Sequence, residues 1–241
     1  MLILPFYFMN DMDKMADVAQ RILYEDNHLI IVNKRAGEIV QGDKTGDEPL
    51  LEAVREYIKV KYHKPGNVFC GLVHRIDRPV SGAVVFAKTS KALSRMTVAV
   101  KERHFTKIYW AIVEQAPEIA AQQLVNYLKK NEKQNKSYVV SEGTPDARRA
   151  ELAYRVLNHS EHYTLLEVEL FTGRHHQIRV QLAANGTVIK GDLKYGAKRS
   201  NPDGSISLHA RKIEFAHPVT GNIVSVVAPV PEEHLWQEIT R

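Results

Sequence analysis

The residues best equipped for chemistry stand together in one stretch, His74-Arg75-Ile76-Asp77-Arg78-Pro79-Val80-Ser81-Gly82. A carboxylate, Asp77, lies between two guanidinium groups, and Pro79 and Ser81-Gly82 force a tight turn. The run Ala83-Val84-Val85-Phe86-Ala87 that follows is apolar enough to belong in a core. A charged cluster is thus expected at the edge of a rigid sheet, where a reactive side chain is held accurately. The same composition also describes a structural ion pair, which is the commoner role of an Asp flanked by arginines. The residue types at this point leave both roles open.

Other chemistries find less support. Gly37, Gly42 and Gly46 match neither the dinucleotide fingerprint nor a phosphate loop with its Lys-Ser/Thr. His175 and His176 are adjacent, so on a helix they diverge by about 100°, and no Glu-x-x-His or His-x3-His spacing accompanies them. No metal is expected. Ser81 lacks a Gly-x-Ser-x-Gly elbow, and Ser-Gly after Pro is more simply a turn.

The elements that must position Asp77 follow from periodicity. A short strand and turn are expected at Ile22–Asn27 and a buried strand at His28–Lys34, then a helix from Pro49 to about Lys61, capped by Asp47. Thr89 or Ser90 caps a second helix with Leu93, Met96 and Val100 on its apolar face. Thr106–Glu114 alternates, sending Tyr109 and Trp110 to opposite faces of a strand. A lysine-rich excursion with Lys129, Lys130, Lys133 and Lys136 joins strands near 123–128 and 137–141. Strands at 150–157 and 163–171 precede a helix over Arg174–Ala184, then strands at 207–215 and 222–228 and a short terminal helix. Strands outnumber helices and are mostly joined by short turns. The expected fold is therefore α+β, a mixed, mainly antiparallel central β-sheet with flanking helices and loops.

At 241 residues, 44% hydrophobic and 25% charged, the chain can bury a sizeable core. Its formal net charge of +5 is compatible with a polyanionic partner without requiring one. Cys70, the single cysteine, excludes an intramolecular disulfide and fits a reducing, cytoplasmic compartment. The apolar Leu2–Phe8 run lacks a basic n-region and is too short to span a bilayer, so no targeting signal or membrane association is expected. Residues 1–20 are read as a disordered leader and 21–241 as the folded unit.

Several of these segments together resemble the RluA-type pseudouridine synthases. The family's His-Arg-Leu-Asp-x-x-Thr-Ser-Gly motif, its apolar strand and Ala-Lys stand here as His74–Gly82 through Ala87-Lys88. Lys-x-Tyr-x-Ala is matched by Lys107-Ile108-Tyr109-Trp110-Ala111. Thr-Gly-Arg-x-His-Gln-Ile-Arg is matched from Thr172 to Arg179, continuing into Gly191-Asp192 and Tyr195-Gly196. Further matches are Leu23–Asp26 with Val32-Asn33-Lys34, and Leu208-His209-Ala210 with His217-Pro218. Ile76, Val80, His175 and Gln181 depart from the usual pattern, the last two with an expected effect on RNA contacts. The family's frequent N-terminal S4-like domain has no counterpart in the residues before the first match.

The resemblance implies isomerisation of uridine to pseudouridine in structured tRNA or rRNA, with no cofactor and no obligatory protein partner, by a monomer. It implies Asp77 as the essential carboxylate, Arg179 as its partner and Tyr109 as the aromatic that stacks on the target uracil. Arg75, Arg78, Lys107, Arg174 and His176 are the implied RNA contacts. A non-catalytic RNA-binding protein and a glycoside hydrolase are the competing readings. The intact Asp77, Tyr109 and Arg179 set argues against the first, and the lack of a second motif carboxylate against the other.

Overall fold

The computed structural model describes residues 11–241. Helix α1 (Asp11–Gln20) leads into β1 (Ile22–Glu25) and β2 (Leu29–Lys34), followed by α2 (Leu50–Lys61), β3 (Gly71–Leu72), β4 (Ser81–Ala87) and α3 (Ser90–Lys101). Next come β5 (Phe105–Val113), β6 (Ala121–Asn131), β7 (Lys136–Val140), β8 (Arg148–His159), β9 (Thr164–Leu170) and α4 (Gln177–Ala184). A 3-10 turn at Leu193–Tyr195, β10 (Leu208–Ala216), β11 (Ile223–Val227) and α5 (His234–Ile239) complete the order. The strands form one sheet in the order β1-β2-β4-β10-β5-β9-β8-β6-β7, with β3 also on β4 and β11 also on β10. Every pairing is antiparallel except β10 on β4. The expected α+β class, with a mainly antiparallel sheet, is the observed one. Among the described residues no helix is long and apolar enough to cross a membrane.

β4 explains why its sequence is apolar throughout. Val84 and Phe86 face a core that includes Val54, Tyr57 and Ile58 of α2, together with Ile178 and Leu182 of α4. Ala83, Val85 and Ala87 face the opposite core, with Ala92 and Met96 of α3. A strand covered on both faces has no polar alternation to show. The charged cluster therefore sits at the N-terminal end of an interior strand, and not at a sheet edge as expected.

Two capping expectations have different outcomes. The Thr89 side chain accepts from Ala92 N at 3.1 Å and starts α3. Asp47 does not cap α2, whose N-cap is Pro49 with no side-chain bond, and pairs instead with Arg78 at 2.7 Å. Residues 11–20, read as part of a leader, form α1. Its Val18 is buried in the same core as α2, and the following Arg21 bonds Asp17 and Glu38. Residues 1–10 of that leader lie outside the described residues.

Gly82 is fixed by close backbone approach. Its φ is +115°, and a Cβ there would stand 2.4 Å from Ala210 O and 2.5 Å from Ala210 N on β10. Gly82→Ala is expected to cost about 2–3 kcal/mol in denaturant unfolding, from overpacking and left-handed backbone strain. A loss below about 0.5 kcal/mol would mean that β10 yields freely.

Candidate active site

Strand alternation delivers the parts of the site to one place. Tyr109 on β5 pairs with Val168 and Ala210 and points into the core shared with Ile76, Val80 and Leu208, while Trp110 turns to the other face. Asp77 lies on the turn before β4, and α4 brings Arg179 to it. These side chains line a cavity of about 170 Å³ whose apolar walls include Leu170, Ile178 and Leu208.

Arg179 is the hub. Its Nε and Nη2 donate to the two oxygens of Asp192 at 2.7 and 2.8 Å, and its Nη1 donates to Asp77 Oδ2 at 3.1 Å. Burial opposes the charged guanidinium, but its bonds to Asp192 and Asp77 and their negative charges more than offset it and raise its pKa. The Asp192 side chain is 1% exposed and that of Asp77 30% exposed. One carboxylate thus anchors the arginine inside the protein, while the other stays open to the cavity. A bidentate pair fixes the plane of the guanidinium, and hence the position of the third bond.

His176 approaches Asp77 from a second side, its Nε2 3.6 Å from Oδ2. The helix expected from Arg174 begins only at Gln177, because His176 adopts φ +54° and ψ +27°. That left-handed geometry costs about 1–2 kcal/mol for a residue with a Cβ. It also cancels the helical divergence expected of the two histidines, whose rings stack at 3.8 Å. Burial, then the neighbouring Arg179, depresses His176 to about 2, so the imidazole is neutral. Burial, then the charge of Asp77, pushes the Tyr109 phenol well up, and it remains protonated.

Several motif residues serve the frame. The Nε2 of His74 accepts the Val85 amide at 3.2 Å. Thr172 Oγ1 and Arg174 N both donate to Gln177 Oε1, closing the turn that leads to α4. Lys34, fully buried, donates to the carbonyls of Arg35, Arg78 and Val80 at 2.8, 3.1 and 2.7 Å, bracing the Asp77 turn from behind. Ser81 Oγ meets His209 Nδ1 at 2.8 Å, and alternation along β4 and β10 turns this pair away from the Asp77 cavity.

Of the residues named from sequence, Asp77, Tyr109, Arg179, Arg75, Arg174 and His176 line the cavity. Arg78 lies on an adjoining groove of about 480 Å³ that Lys130 and Lys194 also border. Lys107 is partly buried outside both walls, and burial depresses its pKa. Gln181, expected to affect RNA contacts, is buried and donates to Asn126 Oδ1 and Leu124 O. Asp192, Tyr195 and Lys34 were not singled out as site residues, although Gly191-Asp192 with Tyr195-Gly196, and Asn33-Lys34, carried the signal.

The RNA pseudouridylate synthase family matches residues 28–184. Over 236 residues the chain is 32% identical to the ribosomal large subunit pseudouridine synthase C of Vibrio cholerae serotype O1, covering 95% of this chain and 71% of that protein. The chain belongs to the RNA pseudouridylate synthase family. This RNA pseudouridine synthase, an isomerase, is also 30% identical over 227 residues to the ribosomal large subunit pseudouridine synthase D of Zymomonas mobilis, covering 90% and 71% of the two chains. The structure of human RNA pseudouridylate synthase domain containing 4 matches the synthase with a TM-score of 0.75 at 22% identity, over 90% of this chain and 91% of that one. That likeness concerns the fold.

Proposed function

We propose that this synthase isomerises specific uridines in structured RNA, with Asp77 as the catalytic carboxylate, Arg179 as its partner and Tyr109 as the platform for the target base. The observation that carries this reading is the asymmetric bridge: Arg179 is locked on buried Asp192 and presents its remaining donor to the open Asp77. In the isomerisation the bond from uracil N1 to the ribose breaks, the base turns, a bond forms from C5 to the same ribose carbon, and C5 gives up its proton as N1 gains one. A carboxylate at this point serves whether it adds to the anomeric carbon, adds to the base or takes a ribose proton. The flat ring of Tyr109 replaces the stacking that an extruded uracil loses.

Arg75 and Arg174 at the cavity, and Arg78 on the groove, meet the flanking phosphates. The exposed Arg78–Asp47 pair is worth at most about 1 kcal/mol, little enough for a phosphate to replace it. Ribosomal RNA is the preferred substrate and tRNA the alternative, the names of the relatives favouring the first. The enzyme acts as a single chain of the cytoplasm without a cofactor, residues 21–241 with the packed helix α1 forming the catalytic domain.

Purified protein incubated with large-subunit rRNA and tRNA transcripts, followed by pseudouridine mapping, tests the reading. Pseudouridine at discrete sites is expected, and none in either RNA would overturn the substrate assignment. Tyr109→Phe should retain most activity and Tyr109→Ala lose about ten- to a hundredfold, the worth of one stacking platform. Equal, near-wild-type rates would remove Tyr109 from base contact.

A further inference from the structure

The asymmetry of hydrogen bonding at Tyr195 goes a step beyond the Asp77 assignment, on which it rests. The backbone N–H of Ser137, at the start of β7, donates to Tyr195 Oη at 2.9 Å. An amide N–H can only donate, so this bond has one polarity. The second partner of the phenol oxygen is His176 Nδ1, at 3.0 Å. Among the described residues the Tyr195 hydroxyl has no other acceptor within reach, so its hydrogen goes to Nδ1. The opposite arrangement, Nδ1–H toward Oη, would leave a buried hydroxyl hydrogen unpaired and turn the Nε2 lone pair toward the Asp77 carboxylate. Both consequences are unfavourable. The neutral imidazole therefore carries its hydrogen on Nε2, the atom 3.6 Å from Asp77 Oδ2.

The same residue supports the other partner of Asp77. The guanidinium of Arg179 lies over the Tyr195 ring, 5.2 Å from its centroid. We propose that Tyr195 is a positioning residue for the reaction: its ring seats Arg179 and its hydroxyl fixes His176 as the Nε2–H tautomer, so that two donors converge on one oxygen of Asp77. The 3.6 Å separation closes to a hydrogen bond in the substrate complex, as catalytic contacts commonly tighten there.

The relay begins on an arm of the protein remote in sequence. Ser137 belongs to the β6–β7 hairpin, whose turn is also held by Lys194 Nζ on Asn135 O at 3.1 Å and by His175 Nε2 near Asn135 Oδ1 at 3.1 Å. Docking of this lysine-rich hairpin is thereby linked to the orientation of the groups facing the carboxylate. Positioning by such a network is felt in the chemical step more than in binding.

Long-range 1H–15N correlation spectroscopy of the unsubstituted protein reads the tautomer directly, with the His176 signals assigned by their loss in His176→Asn. The expected result is a protonated Nε2 and a bare Nδ1 at neutral pH. In Tyr195→Phe, the ring remains and the relay is cut, so kcat should fall about ten- to a hundredfold with KM for RNA unchanged. The tautomer should become mixed in the same variant. His176→Gln, which returns an N–H donor near the Nε2 position, should keep more of kcat than His176→Leu. An Nδ1–H tautomer in the unsubstituted protein, or wild-type kcat in Tyr195→Phe, would overturn the proposal. The tautomer is measured without RNA, so failure of the Asp77 assignment in a turnover assay would be distinguishable from failure of the relay.

Discussion

Asp77→Asn is expected to reduce pseudouridine formation by about 10⁴-fold or more, the scale on which essential groups of an active site act. The protein should stay folded and continue to bind RNA. Asparagine keeps the shape of the side chain, and its amide oxygen can still accept from Arg179 Nη1. Arg179 remains neutralised by Asp192, through the bonds from Nε and Nη2, so the substitution strands no buried charge. What disappears is the anionic oxygen, and an amide neither adds to carbon nor accepts a proton at neutral pH. On the proposed reading, RNA affinity rests on phosphate contacts of Arg75, Arg78 and Arg174 rather than on Asp77, and is largely preserved. Single-turnover assays with excess enzyme, alongside a direct binding measurement, separate the two effects. Turnover retained within about tenfold would end the assignment of Asp77 as the catalytic carboxylate.

The second large effect is expected at a residue with no access to substrate. Asp192→Ala should destabilise the fold by about 3–5 kcal/mol, because it leaves the Arg179 guanidinium buried with two of its donors unpaired. The side chain of Arg179 is only 6% exposed, so water cannot replace the lost carboxylate without opening the structure. The freed arginine would also lose the plane that aims Nη1 at Asp77, and the rate should fall in the fraction that remains folded. Denaturant unfolding measures the first effect, and the rate per folded molecule the second. The two residues share one guanidinium, so Asp77→Asn combined with Asp192→Asn should be non-additive in rate. A stability change under about 1 kcal/mol for Asp192→Ala would mean that Arg179 finds another partner, and that the anchor is not what holds it.

Asp77 and Asp192 differ in burial and in the number of bonds each accepts from Arg179. Both accept from the same arginine, yet one is enclosed and the other faces the cavity. A lone exposed pair would contribute little and hold nothing in place. The buried bidentate pair fixes the arginine, and the fixed arginine orients the exposed carboxylate. Lys34 performs a comparable service on the other side of the turn, by drawing three backbone carbonyls onto one ammonium that burial depresses to about 7.

Much of this was determined by the sequence, because local periodicity is a local property. The alternation of β5 assigned Tyr109 and Trp110 to opposite faces, the apolar run of β4 required a core, and Thr89 or Ser90 marked the start of α3. The motif residues named Asp77, Tyr109 and Arg179 before any contact was visible. The resemblance also implied Arg179 as the partner of Asp77, and the tertiary structure decided how the groups meet. The bond from Arg179 to Asp77 joins residues 102 apart, and the parallel pairing of β4 with β10 that frames the turn follows from strand order and not from any neighbouring residue. The left-handed turn of His176 was silent in sequence, and the motif holding Asp192 and Tyr195 showed neither the buried anchor on Arg179 nor the hydroxyl contact to His176. Each depends on what another segment places beside it, and a residue's own neighbours in the chain carry no information about that.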